Sequence, residues 1–277
     1  MKNYGAKVFK NKIKLKKLLR LAKTNKYSAP KLVKIFNCEK KTILGTLNKF
    51  GIHLPNLGRF KKKYICDDNF FIKLNSTSIY WLGFIAADGC LYFDNGGHKI
   101  FYIALNRSDA EHLRKFKKAI KSNSRICYIK SNNSAHLGFY SSDKIFDSLL
   151  KLGVKPNKSL RIENIKVPHG LMSHFIRGLF DGDGSINGKK ITHVQFEIAG
   201  YKPLLKQIQN TLIKKCGVNK VKIYPLNYKK EGKAFRLQYT GSQIFRILNF
   251  LYKNSTSQIR LERKYKKYLM FKKKFRK

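Results

Sequence analysis

The sequence predicts an α+β protein: a small all-α module followed by a pseudo-twofold pair of αββαββα repeats with antiparallel sheets. Three observations carry that prediction. Two glycine-aspartate segments of like composition, "YWLGFIAADGCL" at 80–91 and "FIRGLFDGDGSI" at 175–186, each open the same succession of patterns. The stretches that follow either alternate apolar and polar residues with period 2 or repeat apolar residues at helical spacing. Late in each copy "KIFDSLLKL" (144–152) registers with "QIFRILNFL" (243–251), which fixes the internal repeat.

The first elements are helical. "KIKLKKLLRLAK" spaces Ile13, Leu15, Leu18, Leu19 and Ala22 as one helix face. Ser28 is placed to N-cap a second helix carrying Leu32, Val33 and Phe36, with Pro30 in its first turn. The turn "NCEK" precedes "KTILGTLNKFG", a third helix with Ile43, Leu44, Leu47 and Phe50 apolar and Gly51 as its C-cap. Helix, short helix, tight turn and basic helix is the helix-turn-helix pattern, and it assigns Lys40, Lys41 and Lys49 to a recognition helix. A plain three-helix bundle carries the same periodicity. "HLPNLGRFKKKY" then reads as a basic linker, so the expected division is residues 1–60, 61–165 and 166–277.

In the first repeat, after Asp88, come strands "CLYFD" and "HKIFYIALN", a helix "SDAEHLRKFKKAI", strands "RICYIK" and "HLGFY", and a helix "SDKIFDSLLKL". After Asp183 come "SINGKKITHVQFEIAG", a helix "KPLLKQIQNTLIKK", strands "KVKIYPL" and "KAFRLQYT", and a helix "SQIFRILNFL". Period-2 alternation assigns His98, Tyr102 and Asn106 to one polar face. In the second repeat His193, Gln195 and Glu197 share such a face, as do Arg236, Gln238 and Thr240, and Lys220, Lys222 and Tyr224. A solvated sheet face explains alternation by itself. This one also mixes base-reading side chains with Tyr and Lys, which suits a β-ribbon in the DNA major groove.

The two glycine-aspartate segments read as helices. Gly83 and Ala87 lie four apart on one face, as do Gly178 and Gly182, and small residues at that spacing let two backbones approach closely. Trp81, Leu82, Phe84 and Ile85 in one helix, and Phe175, Ile176, Leu179 and Phe180 in the other, supply apolar bulk. Gly89 and Gly184 are then expected as C-caps, leaving Asp88 and Asp183 at helix C-termini. The negative end of the helix dipole disfavours a carboxylate there by roughly 0.3–1 kcal/mol. Two such carboxylates in one place make physical sense if a cation joins them, and a hard divalent ion such as Mg²⁺ accepts carboxylate, water and phosphate oxygens together. A calcium loop is excluded: Asp181, Asp183 and Ser185 fill positions 1, 3 and 5, but Ile186 replaces the required Gly and Thr192 the closing Glu.

Composition bounds the partner. Sixty Lys and Arg stand against 15 Asp and Glu, a formal net charge of +45, which calls for a polyanion. Nucleic acid is the natural one, because each neutralised phosphate releases condensed counterions. A membrane is not indicated, since no apolar run approaches the roughly 20 residues of a spanning helix, and "MKNYGAKVFKNKIKLKKLLRL" lacks the apolar core of a secretory signal. Cys38, Cys66, Cys90, Cys127 and Cys216 are odd in number and never spaced C-x-x-C, supporting neither a disulfide framework nor a zinc site. A reducing, intracellular location is expected.

"WLGFIAADG" (81–89) and "IRGLFDGDG" (176–184) resemble the two signature motifs of the LAGLIDADG homing endonucleases, and the resemblance extends over residues 70–270. It implies two saddle-shaped sheets over DNA, an interface made by the motif helices, and divalent-metal cleavage of both strands across the minor groove. Asp88 and Asp183 are then the metal-binding catalytic residues, with Mg²⁺ as the ion and Mn²⁺ as a substitute. Ala86 departs from the acidic residue common at its position, whereas the second copy keeps Asp181; the metal ligand lies elsewhere, so activity is still expected. The family places one lysine per half near the reacting phosphate. "GVKPNKS" gives Lys158 and "LERKYKKY" gives Lys264, while Asn106 and Glu197 are weaker candidates for orienting water. The function expected on this basis is that of a monomeric, site-specific double-strand DNA endonuclease. A transcription regulator on the same scaffold is the chief alternative, and an intron splicing factor with RNA as partner is a third.

Overall fold

The structure, a computed structural model, describes residues 9, 11–24, 27–54, 64–94, 97–139, 142–156, 164–188, 194–226 and 234–275. Contacts group the chain into two units: Met1–Lys63 with Phe93–Ile100, and Tyr64–Tyr92 with Phe101–Lys277.

The first unit is built on α1 (Lys12–Lys23), α2 (Ala29–Phe36) and α3 (Lys40–Lys49). Leu18, Ala22, Leu32, Phe36, Ile43, Leu47 and Leu54 form its core. Asn11 starts α1 by accepting the N–H groups of Ile13 (2.9 Å) and Lys14 (3.2 Å). The turn into α3 runs through Asn37 at φ 46°, a left-handed conformation that asparagine tolerates better than most residues. Gly51 at φ 65° ends α3, as expected. Two expectations fail. The Ser28 hydroxyl makes no capping bond, so the start of α2 rests on Pro30 and its fixed φ. Ile13 is 79% exposed, because only the later turns of α1, at Leu18 and Ala22, reach the core.

The repeat occupies the second unit apart from Phe93–Ile100, which groups with the first. Its first half is α4 (Ser76–Asp88), β1 (Gly89–Phe93), β2 (Lys99–Asn106), α5 (Ala110–Ala119), β3 (Ile126–Ile129), β4 (Ser134–Phe139) and α6 (Asp143–Leu152). The second is α7 (Met172–Asp183), β5 (Gly184–Asn187), β6 (Gln195–Gly200), α8 (Lys202–Cys216), β7 (Ile223–Pro225), β8 (Phe235–Thr240) and α9 (Gln243–Tyr252). A further helix, α10 (Glu262–Phe275), follows the repeat and lies beyond the elements that the sequence pattern predicts. Each half forms a four-stranded antiparallel sheet, ordered β1-β2-β4-β3 and β5-β6-β8-β7. The α+β class and the paired αββαββα order are those the sequence predicts.

Period-2 alternation places one face of each sheet in a core. Phe101, Ile103 and Leu105 of β2 lie opposite Phe139, Leu137 and Ala135 of β4, and all six are buried. Phe101 stacks on Phe139 at 5.4 Å, and Phe116 of α5 closes over both. In the second sheet Phe196 and Ile198 face Tyr239 and Leu237 in the same way. Among the described residues no helix is long and apolar enough to cross a membrane.

Candidate active site

Helices α4 and α7 pack against each other backbone to backbone. A Cβ on Gly83 would stand 2.9 Å from the Leu179 nitrogen and closer still to the Phe175 carbonyl oxygen. One on Gly178 would stand 2.8 Å from the Phe84 nitrogen and inside contact with the Tyr80 carbonyl oxygen. The contact is reciprocal, glycine of each helix against backbone of the other. The small residues predicted to form it are the ones that do. α4 starts with a capping box, Asn75 accepting the Thr77 and Ser78 N–H groups while the Ser78 hydroxyl accepts the Asn75 N–H. Both helices therefore run to a shared end that carries Asp88 and Asp183.

That end differs from expectation. Gly89 (φ −73°, ψ 151°) and Gly184 (φ −92°, ψ 162°) are extended, not left-handed. Each helix passes straight into a strand, and the glycine is needed for space. A Cβ on Gly89 would lie 2.6 Å from Ile85 Cγ2 and 2.8 Å from its carbonyl oxygen, and one on Gly184 would enter the Phe180 ring. Asp88 is half-buried and Asp183 exposed. Asp88 Oδ2 comes within 2.9 Å of the point where a Gly182 Cβ would stand, so the first carboxylate lies against the backbone that leads into the second. Both interact electrostatically with the same ammonium group, that of Lys264.

Lys264 is not placed as a phosphate contact. It is 4% exposed, and its Nζ donates to the carbonyl oxygens of Phe180 (2.6 Å), Asp181 (2.7 Å) and Gly184 (2.6 Å), with Gly182 at 3.3 Å. Burial pushes its pKa down to about 8, opposed chiefly by Asp181. The expected catalytic lysine of the second half is thus turned inward, onto the last turn of α7. The reason lies at the end of α7: a helix that ends without a left-handed cap leaves its final carbonyls wanting donors, and α10 brings one. Lys158, the corresponding expectation of the first half, lies outside the described residues, as does His193.

Asp181 was recognised in sequence only as a motif position. It is fully buried, and accepts from Tyr80 Oη (2.8 Å), Tyr252 Oη (2.8 Å) and the Leu261 N–H (2.8 Å). Burial raises its pKa, and Lys264 together with these donors draws it back. Because Tyr80 gives its one proton to Asp181, His112 Nε2, 2.8 Å from the Tyr80 oxygen, must be the donor there. That leaves His112 Nδ1 as an unprotonated, unpartnered acceptor, and burial holds the ring neutral with its pKa down to about 3. Arg177, fully buried, donates to Ile259 O (2.8 Å) and Leu251 O (2.6 Å) and to His174 Nδ1 (2.8 Å). Sequence reading missed this network. The available signal is Arg177 and Asp181, opposite charges four apart among the bulky apolar residues of α7.

The residues expected to contact DNA take varied positions. Asn106 is exposed at the end of β2, but its carboxamide oxygen accepts from the Ser108 N–H and hydroxyl (both 3.0 Å). Tyr102 and Asn106 share the face opposite the core, where Tyr102 stacks on His136 at 5.8 Å. His98 precedes β2, not within it, and is tied to Asp94 through Nδ1 (2.7 Å). Gln195 is exposed, Arg236 approaches Glu197 at 3.8 Å, and Gln238 lies opposite Glu197 in register. Lys220 and Lys222 are exposed but precede β7, which is shorter than its alternation suggests; the Val221 carbonyl just before it accepts from Gln209 Nε2 (2.7 Å). Lys40 and Lys41 are exposed at the start of α3.

No family model and no curated protein matches the chain. Among solved structures it is similar to LAGLIDADG homing endonucleases. The meganuclease I-SmaMI bound to uncleavable DNA matches with a TM-score of 0.47 and 18% identity over 68% of this chain and 86% of that one. I-LtrWI, bound to its target DNA, matches at 0.45 and 14% identity over 71% and 90% of the two chains. Variants of I-DmoI match at 0.46 and 18% identity over 69% and 93%.

Proposed function

We propose that the chain is a site-specific double-strand DNA endonuclease of the LAGLIDADG type. One observation carries the reading: two helices locked backbone to backbone by Gly83 and Gly178 deliver Asp88 and Asp183 to a common end. Folding alone gives no reason to collect carboxylates where two helix dipoles are negative. The net charge of +45 supports a nucleic-acid partner. Two hard oxygen ligands brought to one helix end fit a divalent cation such as Mg²⁺, which Asp88 and Asp183 would hold. When bound, such an ion supplies the Lewis acidity that activates water and stabilises the leaving 3′ oxygen. The chain's own contribution is to fix the two carboxylates and to lay the duplex across the outer sheet faces. Tyr102, Gln195, Arg236 and Gln238 are assigned to base edges and the exposed lysines to phosphates.

The reading includes a monomer of three parts, with residues 1–60 as a helix-turn-helix-like module adding contacts through Lys40 and Lys41. Its test is duplex binding across a salt series, followed by Mg²⁺-dependent cleavage of a plasmid carrying a target selected from a random library. Log affinity is expected to fall linearly with log salt, by about 0.9 per neutralised phosphate. Cleavage is expected to stop when the metal is chelated. Sequence-specific binding with no cutting in any divalent metal would point to a regulator. A second expectation concerns the module: a chain lacking residues 1–60 should still fold and cut, with weaker binding. Undiminished affinity and discrimination in that truncation would remove its role in recognition.

A further inference from the structure

The register of β3 with β4 tells the two faces of the first sheet apart. Ile126 lies opposite Leu137 and Tyr128 opposite Ala135, and both partners are buried on the core side. Ile126 and Tyr128 therefore point toward α5, away from the face that carries Tyr102 and His136. β3 is the last strand of its sheet, and α5 leaves it partly uncovered, so Tyr128 stays 43% exposed. Between the two elements runs a cleft of about 610 Å³, lined by Arg114, Lys117 and Lys118 of α5 and by Arg125, Ile126 and Tyr128.

The cleft gathers like charges. Arg114 and Lys118 stand four apart on α5 with Lys117 beside them, a spacing at which like charges destabilise a helix. Its polar groups are also ordered. Arg114 donates to Glu111 (2.6 Å) and to the Tyr128 hydroxyl (3.2 Å), and Arg107 lies over the Tyr128 ring at 5.3 Å. Glu111 is thus engaged, and Lys117, Lys118 and Arg125 have no ion pair among the described residues.

We propose that this cleft binds a single-stranded phosphodiester chain, as a second nucleic-acid site behind the first sheet. Unpaired cations match successive phosphates, and an exposed ring beside them is a stacking platform for a base. The volume is that of a small-ligand pocket, which admits one strand and excludes a duplex. A duplex laid on the outer face reaches the lysines of that face; Lys117 and Lys118 stand behind it. The proposal goes beyond the nuclease reading and needs neither metal nor cleavage.

The test is fluorescence anisotropy of the full chain with short labelled oligouridylate and oligothymidylate across a salt series. Lys117→Gln with Lys118→Gln removes two phosphate partners, which should lower the salt slope by about 1.4 and weaken binding roughly tenfold near physiological salt. Tyr128→Leu, which removes the ring and no charge, should weaken it by about fivefold or more. The same double change at Lys214 and Lys215, exposed at the end of α8, is the matched-charge control and should alter it by less than about twofold. Duplex affinity of the cleft variants should also stay within about twofold of wild type. A photoreactive oligouridylate should cross-link the wild-type chain within 125–130, which localises the site without any substitution. Tighter binding of one oligonucleotide than the other identifies the strand as RNA or DNA. Equal losses from the cleft and α8 substitutions, unchanged affinity in Tyr128→Leu, cross-links confined to the outer faces, or equal displacement by polyglutamate would each overturn the proposal. A wild-type chain that neither binds nor cuts duplex would count against the nuclease reading alone.

Discussion

Replacing Asp88 and Asp183 together by asparagine is expected to abolish cleavage while duplex binding and folding persist. The substitution is near-isosteric, so the contact between Asp88 and the backbone at Gly182 is kept in shape. What is lost is the pair of charges that would hold a divalent ion at the shared end of α4 and α7. Losing one preorganised electrostatic stabiliser slows an enzyme by about 10²–10³-fold, so the double variant should fall below detection in a plasmid assay. Two small terms act on stability in opposite senses. Relief of the unfavourable carboxylate at a helix C-terminus contributes about 0.3–1 kcal/mol each, and loss of the attraction to buried Lys264 opposes it. The melting temperature should therefore move by no more than about 4 °C. Binding should not weaken, since removing negative charge near the duplex does not touch the cationic contacts. Mg²⁺-dependent nicking and cutting, salt-matched binding and thermal melting measure all three. Full cleavage by the double variant would remove these residues from the reaction.

Alanine at Gly83 or Gly178 is expected to be the most destabilising small change in the motif helices. Each added methyl meets the partner helix's backbone, the Phe175 carbonyl for Gly83 and the Tyr80 carbonyl for Gly178, and a backbone cannot swing aside as a side chain can. The helices must separate along their length, opening voids beside Trp81, Phe84, Phe175 and Phe180, all buried. Overpacking of this kind costs about 3 kcal/mol at the upper end of its usual range. Gly45 in α3 is the control: it is exposed, and a Cβ there meets nothing within 4 Å. Gly45→Ala should stabilise by roughly 0.8 kcal/mol through helix propensity alone. Urea titrations of the three variants give the comparison. Equal and small effects at Gly83, Gly178 and Gly45 would show that the helix pair is not held at backbone contact.

Much of this architecture is local, and for that reason readable. Period-2 alternation in "KIFYIALN" and "FRLQYT" assigns Ile103 and Leu237 to the core and Tyr102 and Arg236 to the outer face, with no knowledge of the partner strands. Spacing of small residues in the two motifs is equally local, and it named the helix contact and the two aspartates. The misreadings fall where a distant group decides. Gly89 and Gly184 are extended because each helix turns directly into a strand, a choice made by sheet pairing. Lys222 falls outside β7, and the carbonyl before it is bonded to a carboxamide on α8 instead of a strand.

The sequence by itself determined the α+β class, the twofold repeat and the close packing of the two glycine-bearing motif helices, because each follows from periodicity or spacing along the chain. Only the tertiary structure decided what becomes of Lys264, Arg177 and Asp181. A buried charge has to find its partners wherever the fold brings donors and acceptors together, and those of Asp181 come from residues 80, 252, 261 and 264. No local pattern links positions so far apart. Their association is fixed when α4, α7, α9 and α10 close around one carboxylate that water can no longer reach.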